Sequence, residues 1–184
     1  MKRIHKNPMS IFGKTISFHR SKPQFEEALL SQTKKDKNVI YGARSINVQI
    51  SGPLRRGTQD YDIYAKNPVK AAKKTSKNYN KIVGSKQFYT QPALHPGTHK
   101  VMNVGADMRK GTKDDYGVVD YSGFPIPNPP IRTIRGLRYR TLQREIMAKR
   151  KSLADPAMKF RHNKDMKDLK RAMLEKELMR RGLR

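Results

Sequence analysis

The chain has no cysteine, which excludes disulfides and thiolate metal sites. No apolar run approaches the ~18–20 residues that a membrane-spanning helix needs. The basic segment 1–22 also lacks the continuous apolar stretch of a secretory signal. We therefore expect no membrane partner and an intracellular setting, either cytoplasmic or inside a virion. Apolar residues make up 35% of the 184 residues, which is below the usual share and is enough for one modest core.

Acidic side chains are also scarce. The chain has 15 Asp and Glu against 41 Lys and Arg, for a formal charge of +26. So much charge of one sign repels itself and favours a polyanionic partner, because binding releases counterions. The composition therefore predicts contact with nucleic acid, RNA or DNA, and a solvated cationic surface is the alternative. The candidate nucleic-acid-binding residues lie in the basic C-terminal part: Arg135, Arg138, Arg140, Arg144 and Arg161.

Changes in composition divide the chain into four parts. These are a basic N-terminal arm (1–22), a core (23–122), a Pro-rich linker (123–130) and a basic helical C-terminal region (131–184). The linker holds four prolines in eight residues and must be extended. Within the arm, Ile16 and Phe18 alternate with polar residues, so a short edge strand is an alternative to an arm lying on a partner.

Strands and helices alternate through the core. We expect strands at 39–41, 60–64, 88–90, 99–104 and 117–121, and helices opening at Pro23, near Ser45 and at Pro68, where Asn67 can cap. Beyond the linker, helices are expected at 131–153 and 159–179. The fold class is therefore α+β, with a small mixed sheet flanked by helices and further helices at the C-terminus.

Three aspartates form the candidate catalytic and metal-binding set. Asp60 and Asp62 are two apart on a strand, so their side chains share one face. Asp120 lies on a later strand. Neighbouring carboxylates raise each other's pKa, and a divalent cation such as Mg²⁺ or Mn²⁺ removes the conflict. A third carboxylate can hold a second metal or orient an attacking hydroxyl. The alternative for Asp60 and Asp62 is a solvated pair at the edge of a turn.

A strand ending in a glycine precedes this set. Gly42 lets backbone amides approach a phosphate, and the helix that follows adds positive potential at its N-terminus. Ser45 could donate a hydrogen bond to a γ-phosphate oxygen. The order strand, glycine, helix, Arg-x-Thr, Asp-x-Asp, helix, strand, Asp favours a phosphoryl-transfer fold more than any one motif does.

The segments Tyr41-Gly42-Ala43-Arg44-Ser45 and Arg56-Gly57-Thr58-Gln59-Asp60-Tyr61-Asp62-Ile63 resemble the polymerase-β-like nucleotidyltransferases, and most nearly the minimal, abortive-infection-toxin-type branch. The resemblance implies that Gly42, Arg44, Ser45, Arg56 and Thr58 bind the nucleotide. It maps the third aspartate to Asp120, and not to Asp107, Asp114 or Asp115, which lie in polar loop-like sequence. Ala43 departs from the Gly or Ser of the family, so a phosphate donor is lost or displaced to Ser45.

The C-terminal part extends this resemblance. Lys149 or Lys151 would contact phosphate, and Arg161 precedes Lys164-Asp165-Met166-Lys167-Asp168. In the family, Asp165 and Asp168 would anchor the helices through ion pairs with arginine. Charge pairing along an exposed helix is the alternative.

Two functions follow from these patterns. The first is a metal-dependent, two-metal nucleotidyltransferase that moves a nucleotidyl group from an NTP to a hydroxyl of a tRNA-like nucleic acid or of a protein, in a toxin–antitoxin-like or viral setting. The second is a catalytically inactive protein of the same fold that binds or packages nucleic acid in a virion or ribonucleoprotein.

Overall fold

The computed structural model describes residues 10–11, 14–15, 18–58 and 60–183. A seven-stranded mixed sheet with helices on both faces forms its centre. The strands are β1 (Ser10–Ile11), β2 (Lys14–Thr15), β3 (Val39–Tyr41), β4 (Tyr61–Tyr64), β5 (Phe88–Pro92), β6 (Thr98–Asn103), β7 (Tyr116–Ser122), β8 (Ile131–Ile134) and β9 (Leu137–Arg140). The helices are α1 (Phe18–Ser21), α2 (Pro23–Lys35), α3 (Gly42–Gln49), α4 (Pro68–Val83), α5 (Leu142–Ala154) and α6 (His162–Arg180), with short 3₁₀ turns at Gly52–Leu54 and Pro156–Arg161.

The strand order of the large sheet is β5-β6-β7-β4-β3-β9-β8, and β1 and β2 form a separate two-stranded sheet. The pairs β4–β7 and β3–β9 are parallel, and the other pairs of the sheet are antiparallel. In the β4–β7 register, Asp62 lies opposite Asp120. The register therefore places these two carboxylates side by side at the middle of the sheet.

The two faces of the sheet have different partners. Ile63 and Tyr121, each next to an aspartate, point to the other face and are fully buried. The Tyr121 hydroxyl hydrogen-bonds Thr75 of α4 at 2.7 Å. The face that α4 covers thus holds an aromatic core that includes Phe25 and Tyr79, and the carboxylates lie on the opposite face.

A second apolar cluster joins α3, α5 and α6. Ile46 and Ile50 meet Ile146 and Leu169 there, all buried. This cluster fixes the C-terminal helices to the segment that runs between β3 and β4, and therefore to the neighbourhood of the carboxylates.

Local sequence signals explain several boundaries. Asn67 caps α4, accepting a hydrogen bond from the Lys70 amide at 2.9 Å, and Pro68 occupies the first helical position. Gly84 ends the helix with φ +69°. The predictions of α4, of α2 from Pro23 and of strand 39–41 are confirmed, while the helix expected near Ser45 begins three residues earlier, at Gly42.

The predicted helix at 131–153 is wrong over its first part. Residues 131–140 form the hairpin β8–β9, and the helix begins at Leu142. Arg135 and Gly136 make the turn with φ of +50° and +76°, which suits a two-residue hairpin loop. Strand β9 then pairs with β3, where Tyr139 lies opposite Ile40.

The end of the segment predicted as an N-terminal arm is helical in the structure. Phe18 and His19 belong to helix α1 and are buried, and Phe18 packs against Phe25. Ile16, the other half of the alternative edge strand, lies outside the described residues. The sheet takes strands from both sides of 123–130, and the four-part division stays a prediction. Within the described residues, no helix is both long and apolar enough to cross a membrane.

Candidate active site

Three carboxylates meet on one face of the sheet. Asp60, Asp62 and Asp120 each offer an oxygen, and these oxygens lie within 4.8 Å of one another. Asp62 and Asp120 face each other across parallel strands, and Asp60 comes directly before β4. All three side chains are half-buried. The convergence expected from the sequence is confirmed, while the roles of the three residues remain predictions.

Crowding and burial oppose ionisation here. Burial, followed by the charges of Asp60 and Asp120, raises the pKa of Asp62 to about 7, against the opposing charges of Lys164 and Lys149. Burial also raises the pKa of Asp120. The upward pKa shift that the paired aspartates predict is therefore found at Asp62. A hard divalent cation would relieve this conflict, and the donor set of carboxylate oxygens fits Mg²⁺ or Mn²⁺.

Two lysines at the site have no role in the sequence-based prediction. Lys100 lies opposite Asp120 in the β6–β7 register, and its Nζ is 3.6 Å from Asp120 Oδ2. Lys164, exposed in the first turn of α6, lowers the pKa of both Asp62 and Asp120 through its charge. The strand register would have indicated Lys100, and the Lys-Asp-x-x-Asp motif contains Lys164.

Gly42 lies directly against the carboxylate of Asp62. Its φ is +70°, and a Cβ at this position would collide with Asp62 Oδ2, so only glycine fits there. Its amide donates to Glu145 Oε1 at 2.8 Å. This amide is therefore not presented to a phosphate in this arrangement.

Ser45 and Arg44 make internal contacts. Ser45 is fully buried, and its hydroxyl donates to the Arg140 carbonyl at 2.6 Å. The Arg44 guanidinium lies 4.0 Å from the centre of the Tyr61 ring and 3.2 Å from Glu26 Oε1. That Ser45 donates to a γ-phosphate stays a prediction, and it would require this hydroxyl to leave the Arg140 carbonyl of strand β9.

Arg56 is held by Asp168 of α6. Its Nε and Nη2 donate to Asp168 Oδ1 and Oδ2 at 2.6 and 2.9 Å. Arg171 adds a third bond to Asp168 at 2.6 Å. Thr58 is half-buried in the loop that leads to Asp60. The predicted nucleotide contact of Arg56 would have to compete with a two-point ion pair.

Lys149 is buried and pairs with Asp165 at 2.6 Å. Arg161 reaches the same carboxylate at 2.9 Å. Lys151 is exposed on α5. Asp165 and Asp168 are both fully buried. The prediction that arginine ion pairs anchor these helices is confirmed, and the alternative of pairing on an exposed helix is wrong.

The five arginines predicted to bind nucleic acid lie in different environments. Arg135 is exposed in the hairpin turn, Arg144 is half-buried, and Arg138 donates to the Lys37 carbonyl at 2.6 Å. Arg161 has its partner in Asp165. The Arg140 side chain, only 12% exposed, pairs with fully buried Glu145 at 2.6 Å. The role of Arg140 in nucleic-acid binding stays a prediction, and it would compete with the need to neutralise the buried Glu145 carboxylate.

Comparison of whole folds finds similar solved structures. Polyadenylate synthase from Megavirus overlaps with a TM-score of 0.67 at 14% identity, over 84% of this chain and 31% of the viral chain. JHP933 from Helicobacter pylori overlaps with a TM-score of 0.50 at 16% identity, over 84% of this chain and 66% of that chain. The chain thus spans about a third of the first and about two-thirds of the second. No protein-family profile and no curated protein sequence matches the chain.

Proposed function

We propose that this chain, which has a nucleotidyltransferase fold, transfers a nucleotidyl group from an NTP to a hydroxyl of a polynucleotide acceptor. One observation carries the proposal: carboxylates from two neighbouring strands converge within 4.8 Å. Asp60, Asp62 and Asp120 would hold Mg²⁺ or Mn²⁺, since their hard oxygens and the raised pKa of Asp62 suit a divalent cation.

In this reaction the acceptor hydroxyl oxygen bonds to the α-phosphorus, and the bond from that phosphorus to the bridging oxygen breaks. Pyrophosphate leaves with the electron pair. When bound, a divalent metal stabilises charge on the attacking and leaving oxygens. Asp60 and Asp62 are its proposed ligands. Asp120, whose pKa burial raises, is either a third ligand or the acceptor of the hydroxyl proton.

We assign the triphosphate to the lysines that face the carboxylates. Lys164 is exposed, and its charge acts on both Asp62 and Asp120. It can therefore neutralise phosphate oxygens next to the carboxylates. Lys164 replaces the Gly42 amide and the Ser45 hydroxyl as the proposed phosphate contact, because those two donors already bond to Glu145 and Arg140.

The nature of the acceptor is argued from charge. A formal charge of +26 exceeds what one NTP needs and suits a polyanion. The similar viral protein is a polyadenylate synthase, an enzyme whose name says that it makes polyadenylate, which is a polynucleotide. A polynucleotide acceptor is therefore favoured over a protein hydroxyl.

The test is incorporation of labelled NTPs into single-stranded RNA, DNA and protein, with Mg²⁺ or Mn²⁺. We expect incorporation into a polynucleotide and a loss of at least about a thousand-fold in Asp60→Asn/Asp62→Asn. The matched control is Asp107→Asn/Asp114→Asn, which removes two carboxylates from the other acidic cluster and should keep activity within about two-fold. Absence of incorporation with every NTP and either metal would refute the catalytic proposal.

Inactive nucleic-acid binding is the second candidate, and two hydrogen bonds favour it. The Gly42 amide and the Ser45 hydroxyl, two donors expected for phosphate, have internal acceptors. RNA affinity that falls steeply with salt and is unchanged in Asp60→Asn/Asp62→Asn, together with no incorporation, would select this candidate.

A further inference from the structure

A lysine-lined groove lies along the C-terminal half of α4. It has a volume of about 770 Å³ and runs between this helix, strand β5 and the loop near residue 110. Five lysines line it: Lys73, Lys77, Lys81, Lys86 and Lys110. None of the described residues that line the groove is acidic. The groove therefore concentrates one sign of charge.

The five lysines of the groove form no ion pair within the part of the chain that the structure describes. Among the ion pairs of the described residues, none includes any of these five amines. Lys74, on another side of the same helix, pairs with Asp36 at 2.6 Å. Concave surfaces of one sign focus their field on a counter-ion in solution, so the groove attracts an external polyanion.

The groove is separate from the three carboxylates. Ser76 of α4 donates to the Phe88 carbonyl at 2.8 Å, and Thr75 hydrogen-bonds Tyr121. These contacts fix α4 to the face of the sheet opposite Asp62 and Asp120. A ligand in the groove would therefore not meet the reacting atoms from that position.

We propose that the groove binds the phosphodiester backbone of single-stranded nucleic acid. Lys73, Lys77 and Lys81 follow one another at four-residue intervals, a rise of ~6 Å each, comparable to the distance between successive phosphates of an extended strand. Tyr89 contributes an aromatic ring with the Lys110 ammonium 4.8 Å from its centre. Cationic grooves with aromatic rings are how proteins bind single strands without reading sequence.

This inference goes beyond the proposed function and does not depend on catalysis. The groove would hold a nucleic-acid strand on the far side of the sheet whether or not the carboxylates act on it. A binding measurement on the Asp60→Asn/Asp62→Asn background therefore separates catalysis from groove binding. Loss of catalysis would not contradict groove binding, and loss of groove binding would not contradict catalysis.

The experiment measures fluorescence anisotropy of a labelled single-stranded RNA across a salt series. The plot of log affinity against log salt has a negative slope, and each phosphate contact on a single strand contributes about 0.7 to its magnitude. In Lys73→Gln/Lys77→Gln/Lys81→Gln we therefore expect the magnitude of the slope to decrease by about 2. The matched control Lys34→Gln/Lys35→Gln/Lys37→Gln removes the same charge from exposed positions outside the groove and should change the slope much less.

Protection of lysines from acylation, read by mass spectrometry on the unmodified full chain, gives a second measurement that needs no variant. Bound RNA should protect Lys77 and Lys81 more than Lys34 and Lys35. Equal slope changes in the two triple variants, equal protection at the two lysine sets, or tighter binding of a duplex of the same length would each overturn the proposal.

Discussion

Asp62 makes stability depend on pH. Its pKa is raised to about 7 by burial and by Asp60 and Asp120, so the folded chain binds this proton more tightly than the unfolded chain, whose pKa is near 4. Its contribution to stability is fully present below pH 4 and is lost as pH rises through about 7. Asp62→Asn should therefore be more stable than the wild type at pH 8, by about 4 kcal/mol for a shift of roughly three pKa units, and by less than half as much at pH 5.

Urea denaturation at the two pH values measures this difference. Mg²⁺ serves as the control, because a ligand that binds only the folded state stabilises it. Mg²⁺ at pH 8 should raise the wild-type midpoint and raise that of Asp62→Asn far less. A difference between the proteins that is the same at pH 5 and pH 8 would contradict the assignment.

Gly42 and Gly84 form a matched pair with nearly the same backbone. Their φ values are +70° and +69°, but a Cβ at Gly42 meets Asp62, whereas a Cβ at Gly84 meets nothing within 4 Å. Gly84→Ala should cost only the left-handed strain, about 1 kcal/mol. Gly42→Ala should cost at least about 2 kcal/mol more, since it adds a collision with the Asp62 carboxylate. Equal shifts of the urea midpoint would show that the close approach to Asp62 is unimportant.

The residues of the site could be predicted from the sequence only in part. Alternation along a strand is enough to place Asp60 and Asp62 on one face. The third carboxylate of the set, Asp120, is also predictable because it lies in a later predicted strand. The environments of Ser45 and Arg140 could not be predicted, because each depends on the parallel pairing of β3 with β9, which joins positions about a hundred residues apart. Long-range register decides whether such side chains face solvent or the core.

At the scale of elements, the carboxylates of Asp165 and Asp168 anchor helix α6 through ion pairs with Lys149 and Arg56. Burial alone would raise the pKa of Asp168, but hydrogen bonds and charges from Arg56 and Arg171 hold it at about 2. Asp168→Asn leaves these half-buried guanidinium groups without their shared buried carboxylate and should destabilise the fold by about 3 kcal/mol at pH 7. Because the folded pKa is lowered, this contribution is present above pH 4 and is lost as pH falls towards 2.

Urea denaturation of Asp168→Asn at pH 7 and pH 3 tests this anchoring, and the loss should be smaller at pH 3. The control on the same helix is Glu177→Gln, whose partners Arg180 and Arg181 are exposed, so its stability should hardly change. Similar losses in both variants would mean that α6 is not anchored through Asp168.

The hairpin β8–β9 shows where the element prediction failed. Ile131, Thr133, Leu137 and Tyr139 alternate with other residues across an Arg-Gly turn, which is a hairpin pattern with a two-residue loop. This pattern conflicts with the helix expected at 131–153 and was the local signal for the hairpin. The helices that begin with a proline or an Asn cap were predictable, because those signals are local.

At the scale of the whole molecule, several acidic side chains are buried, whereas the excess of basic side chains lies at the surface. Glu145, Asp165, Asp168 and Glu175 are fully buried, and the first three pair there with arginine or lysine. These ion pairs involve few of the 41 basic residues. The excess positive charge therefore remains at the surface, where it repels itself and where salt can screen it.

Stability should accordingly rise with ionic strength. The compact state brings the surplus of +26 closer together than the unfolded chain does, so screening favours folding. Raising NaCl from 10 to 300 mM shortens the Debye length from about 30 Å to below 8 Å and should raise the Tm by a few degrees, as measured by circular dichroism. The rise should be smaller in Lys73→Gln/Lys77→Gln/Lys81→Gln, which has less surface charge. A Tm that falls with salt would instead mean that exposed ion pairs, and not repulsion, dominate the surface electrostatics.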